Sequence, residues 1–278
     1  MKLTKAINNI QKFTGKFPQE EVTVIRENRE QAIPLLLDAF KSAIEINDCD
    51  YVMGFLHILF LLSEFEVHEA CDMMIELLTE DEFTISFFIG DALADNYAVM
   101  LANVMQYDDI PKIINIVNDR GCYIFARTCA LNTLLALTAA GKLDYKELGT
   151  IYESLIEINF NDEDIAWCFA DYSEYICTPN MRKLIDKQFC DGIIDTYNAS
   201  RIVFSIKCME KDKKSKLFNN EFLDKKYGVI DILKTWNCYM TDEDRNIHLA
   251  WCKALEKAGL SSIFLNSSVK RKLDDSLL

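Results

Sequence analysis

Glycine and proline are scarce in this chain of 278 residues, at nine and four, and histidine occurs three times. Closely spaced strands depend on Gly- and Pro-rich turns, so that scarcity argues against an all-β fold, while plentiful Leu, Ala, Ile, Glu and Lys favour helix. There is no Cys-x-x-Cys, phosphate loop, dinucleotide fingerprint or nucleophile elbow. The histidines, His57, His68 and His248, have no ligand spacing between them, so no zinc set and no other cofactor is expected. No window approaches the roughly twenty apolar residues of a membrane span. The first thirteen residues lack the apolar run of a secretory signal, and the expected location is cytoplasmic.

What the chain does contain is apolar residues, half of the total, enough for a continuous core. Ten cysteines are scattered singly through helical patterns, which predicts free, mostly buried thiols in a reducing compartment. The net charge of -14 is uneven. Lys and Arg number 2 against 13 acids in residues 61–120 and 3 against 9 in 121–180, but 18 against 14 from 181 onward. An acidic middle loses the counterion release that drives nucleic-acid binding, so the expected partner is a basic or amphipathic protein segment and not nucleic acid.

Periodicity supplies the architecture. Residues 2–13 predict a short helix ended near Gly15, and a second runs from Pro18 to about Asn28. Pro34 starts or kinks a third over 35–46. Helices predicted near 67–79, 108–118, 144–158 and 180–194 alternate with others near 51–65, 91–105, 123–140 and 163–176. The first set starts at intervals of 41, 36 and 36 residues, the period of HEAT-type helix pairs. The expected fold is therefore all-α, a HEAT-like α-solenoid over 1–205. A C-terminal capping region follows over 206–278, with helices near 228–239 and 242–258 bearing Trp236 and Trp251 and a frayed end.

The turn Val117-Asn-Asp119-Arg-Gly-Cys-Tyr-Ile-Phe125-Ala126-Arg127 resembles the inter-helix turn of HEAT repeats, whose acids and arginines form a ladder. That resemblance implies structural roles for Asp119 and Arg127. The run from 51 to 208 also resembles a bacterial HEAT-like family known only as a domain of unknown function, number 1186. The matching motifs are Phe55-Leu56-His57-Ile58-Leu59-Phe60-Leu61-Leu62 with Phe65 and Ala70, then Gly90-Asp91-Ala92-Leu93-Ala94-Asp95-Asn96, then Ala126-Arg127 with Ala130-Leu131. Several members carry a Cys-rich zinc-binding tail that residues 270–278 do not match.

Candidate function centres on 89–105. On one helix through this stretch, Leu93, Tyr97, Met100, Leu101 and Val104 share the core side. Asp91, Asp95, Ala98 and Ala102 share the other, a candidate groove face where small residues admit a partner backbone and the acids attract a basic one. Asp91 follows Gly90 at a helix start, where capping is its ordinary task. His57 sits on an apolar helix as a core histidine. The leading expectation is a non-enzymatic protein-binding scaffold. The alternatives are a metal-dependent or hydrolytic enzyme using Asp91, Asp95 and His57, or a HEAT-type nucleic-acid-processing protein.

Overall fold

A computed structural model describes residues 1–46, 52–195, 200–220, 223, 229–236 and 238–239, and all its regular structure is helical. The chain forms two compact units, Met1–Phe13 with Gln19–Ile230 and Thr14–Pro18 with Asp231–Leu278. In the second unit, Phe17 meets Tyr239 edge to face and lies under the Lys234 ammonium. The helix predicted near 242–258, with Trp251, and the frayed end lie outside the described residues.

The first unit opens with α1 (Leu3–Ile10), α2 (Gln19–Glu27), α3 (Arg29–Ile46) and α4 (Val52–Glu64). Pro34 lies inside α3 and starts no new helix. Residues 54–63 of α4 are buried without a break, because α1 and α3 cover one side and α8 (Tyr97–Val104) another. A helix that is apolar all round is stable only when so enclosed, and each fully buried Leu, Ile or Phe contributes about 1.5–3 kcal/mol. Gly54 sets how closely α1 approaches: a Cβ there would stand 2.2 Å from the Gln11 carbonyl oxygen.

A 3-10 turn, His68–Ala70, leads into α5 (Cys71–Leu77), followed by α6 (Glu82–Phe88) and α7 (Ala92–Asp95). The single helix expected over 91–105 is two, because Asn96 leaves helical geometry at φ -134° between α7 and α8. The sequence pattern also predicted no helix at 82–88. The Asp81 carboxylate starts α6 by accepting the Phe83 and Thr84 amides at 2.9 and 3.1 Å. The extra elements α6 and α7 fall in the 41-residue interval, the longer one, of the sequence period.

Beyond them run α9 (Ile110–Asn118), α10 (Ile124–Ala139), α11 (Tyr145–Ile158), α12 (Glu163–Tyr172), α13 (Pro179–Cys190), α14 (Arg201–Met209) and α15 (Lys213–Phe218). Helices α4, α8, α10 and α12 pack each on the next, and α9, α11 and α13 form a second row in the same way. Helices α14 and α15 also belong to this unit. Phe204 packs on Phe189 at 5.6 Å, and Lys213 is buried with its Nζ donating to the Ser173 carbonyl at 2.6 Å.

Polar bonds between successive repeats recur at the sequence period. Asn103 donates to Ser63 at 3.1 Å, 40 residues away, and Asn159 to Asn118 at 2.7 Å, 41 away. Lys142 makes the densest such joint. Its half-buried ammonium donates to the Ala102, Asn103 and Met105 carbonyls at 2.8, 2.7 and 3.0 Å, closing the C-terminal end of α8. Replacing Lys142 with Met keeps the stem and strands three carbonyls. We expect a loss of about 2–3 kcal/mol in urea unfolding, against less than 0.5 kcal/mol for the same change at Lys146 on the exposed start of α11.

Candidate functional site

The stretch chosen from the sequence does not form one open face. Asp91 and Asp95 are exposed on the short α7, Ala98 is half-buried on α8, and Ala102 is 2 % exposed, within the core. The break at Asn96 turns α8 relative to α7, and α8 is wedged between α4 and α10, which leaves Ala102 no surface to present. Asp91 accepts no cap bond from its side chain.

His57 is a core residue: its Nδ1–H donates to the Ile10 carbonyl at 2.6 Å, closing the end of α1. Burial, against the opposing pull of that bond, lowers its pKa to about 4. It forms no group with Asp91 and Asp95. Among the described residues the imidazole, thiol and carboxylate that do converge are His68, Cys71 and Asp109.

These are donors of a kind that hold zinc, but each already has structural work. The His68 imidazole meets the Val104 carbonyl at 3.1 Å and stands 3.6 Å from Asp109. Asp109 accepts the Gln106 amide at 2.9 Å in a reciprocal cap, and Lys112 bridges it to Asp72. Burial raises the Asp109 pKa, yet the Gln106 amide and the Lys112 ammonium outweigh it and hold the carboxyl below its ordinary range. Burial first, then the Asp109 charge, push Cys71 up to about 12, so it keeps its proton. The cluster clasps the end of α8 to the starts of α5 and α9.

Asp119 and Arg127 stand in adjacent structural joints and are not paired with each other. The Asp119 carboxylate accepts the Gly121 amide at 2.8 Å, shaping the turn. Arg127, buried, donates from Nε to the Val117 carbonyl at 2.9 Å and from Nη2 to Asp162 at 2.8 Å, so the rung runs forward to the head of α12. Arg120 reaches the same carboxylate at 3.3 Å.

The surface feature that sequence reasoning missed lies at the heads of α6 and α10. Phe83 is 73 % exposed and stacks on Phe87 at 6.2 Å, while Phe125 is 53 % exposed and meets Tyr123 at 5.3 Å. The two pairs are neighbours: partial burial first, and then the nearby Glu82 carboxylate, raise the pKa of the Tyr123 phenol. Glu80, Asp81 and Glu82 are exposed on the same turn. The signal for it was the Asp81 to Thr84 cap, which places Phe83 in a first turn, directed away from the core by Ile85 and Phe88.

Fold and surface together define an all-α protein of packed helix pairs with no helix, among the described residues, long and apolar enough to cross a membrane. The chain belongs to the family described as protein of unknown function (DUF1186), which it matches over residues 1–240. It is also similar to uncharacterized proteins of two chlamydiae. It is 24% identical to one from Chlamydia trachomatis over 204 residues, and 24% identical to one from Chlamydia muridarum over 203 residues. Each alignment covers 70% of this chain and 80% of the relative. No solved structure matches the chain.

Two substitutions test these placements. Ala102→Arg forces a charge into the joint of α4, α8 and α10, and should cost about 2–3 kcal/mol in urea unfolding. His57 carries a pH signature. Its folded pKa lies below that of the unfolded chain, so the unfolded state binds more protons as pH falls below 6.5. Stability present above 6.5 is lost toward 4, about 2 kcal/mol of it by pH 5. In His57→Gln the drop in unfolding free energy from pH 8 to pH 5 should be smaller by that amount.

Proposed function

We propose that this chain is a non-enzymatic protein-binding scaffold of HEAT-like repeats, acting in the cytoplasm, whose partner is a basic amphipathic segment. The surface made by exposed Phe83, Phe125 and Glu82 with half-buried Phe87 and Tyr123 carries this reading. Aromatic side chains offer large rigid contact area, and their ring faces attract Lys and Arg, which adjacent carboxylates then pair. The recurrence of packed helix pairs and of polar bonds at spacings near 40 residues supports the repeat reading. His57, His68 and the buried Asp109, residue types that catalysis often uses, are engaged in closing helix ends. Asp91 and Asp95 widen the acidic surface on α7, and Ala98 lies at its margin. Ala102 takes no part.

The test is a binding titration with fluorescent amphipathic peptides that share an apolar face and differ in charge. We expect basic peptides to bind and acidic ones not to. Phe83→Ala with Phe125→Ala should weaken binding about tenfold or more without moving the thermal unfolding curve, since both rings are exposed. Glu82→Gln should flatten the salt dependence. Unchanged binding in the double variant, or a preference for acidic peptides, overturns the proposal.

A further inference from the structure

Two thiols lie together where α14 meets the start of α13. The sulfurs of Cys177, just before the α13 cap residue Thr178, and Cys208, in the last turn of α14, are 3.1 Å apart and 31 residues apart in sequence. Both are partly accessible. A disulfide is about 2.05 Å long, so the sulfurs need close by only about 1 Å.

The approach is held by the fold on both sides. Lys207, next to Cys208, donates to the Asp171 carbonyl and carboxylate at 3.0 and 2.6 Å. Lys213 donates to the Ser173 carbonyl at 2.6 Å and to the carbonyl of Lys207 itself. These bonds span 36 and 40 residues, the repeat spacing, and bracket the end of α14 against the turn that bears Cys177. Burial first, and then the neighbouring Cys208 thiol, push Cys177 up to about 12, against a smaller opposing pull from the charges of Lys213 and Arg182.

We propose that Cys177 and Cys208 are a reversible redox pair, whose disulfide ties α14 to the head of α13 when the chain meets a low-molecular-weight disulfide. With glutathione disulfide, the Cys208 thiolate attacks one glutathione sulfur, the S–S bond breaks, and a glutathione thiolate leaves. Cys177 then gives its proton to solvent, and its sulfur attacks Cys208, expelling the remaining glutathione. Two protein thiols are oxidised and one glutathione disulfide is reduced to two glutathiones. The product encloses α13 and residues 191–200 in one covalent loop. It also fixes the helix that exposes Ile202, Val203, Ile206 and Met209.

The full chain is incubated in buffers of rising glutathione disulfide to glutathione ratio, alkylated, and read by intact mass and peptide mapping. We expect the 177–208 crosslinked peptide, with two thiols lost and no glutathione retained, at lower ratios than those that load glutathione onto the exposed Cys190 and Cys238. Cys177→Ser should instead trap glutathione on Cys208. Proteolytic nicking within 191–200 should release the downstream fragment from oxidised protein only after dithiothreitol is added. If both cysteines remain alkylatable after Cys190 and Cys238 have reacted, or if Cys177→Ser leaves Cys208 unmodified, the proposal fails.

Discussion

The structure depends on closing helix ends. Each helix leaves its last carbonyls without partners, and in a stack of helix pairs many of those ends point into the joint between repeats, where water cannot serve them. Here basic side chains from other elements do so. His57 closes α1, Arg29 reaches the Phe65 carbonyl beyond α4, and His68 and Lys142 share the end of α8. Arg127 serves α9, and Lys213 the carbonyl of Ser173 beyond α12. A cation at a helix C-terminus also meets the negative end of the macrodipole, so a single residue both satisfies hydrogen bonds and stabilises the helix. Breaking one such joint loosens two repeats together, since donor and acceptor come from different ones.

That demand shapes the charge of the surface. Between 61 and 180 there are five lysines and arginines against twenty-two acids. Arg127 and Lys142 are turned inward, and Lys112 and Arg120 pair with acids at the joints. That leaves Lys146, which does little to offset the carboxylates outside. The acidity outside therefore has an internal counterpart in where the positive charges are placed. The exposed aromatics at the heads of α6 and α10 lie within this field, beside Glu80, Asp81 and Glu82.

The helices themselves were legible from periodicity, because core-facing residues must recur at the helical period whatever lies opposite. Thus α4, α10 and α11 match the expected 51–65, 123–140 and 144–158 to within a residue or two. The family, too, was recognisable from motifs in α4 and around α7. The core placement of His57 followed from its apolar surroundings. These are properties of short windows, which local spacing encodes.

What local spacing does not encode is which helix covers which face. A wheel through 89–105 puts Ala102 opposite Leu101, but only the placement of α8 between α4 and α10 decides that both sides are covered. The break at Asn96 and the helix α6 depend on one side-chain cap and one irregular residue, signals too short to shift a periodic pattern. Arg127 finds Asp162 and not the nearer Asp119, and Cys177 finds Cys208, because packing brings together residues about one repeat apart. The sequence alone determined the helical segments and their spacing. The tertiary structure decided the exposed faces and the long-range partners, since both depend on neighbours that a window of sequence does not contain.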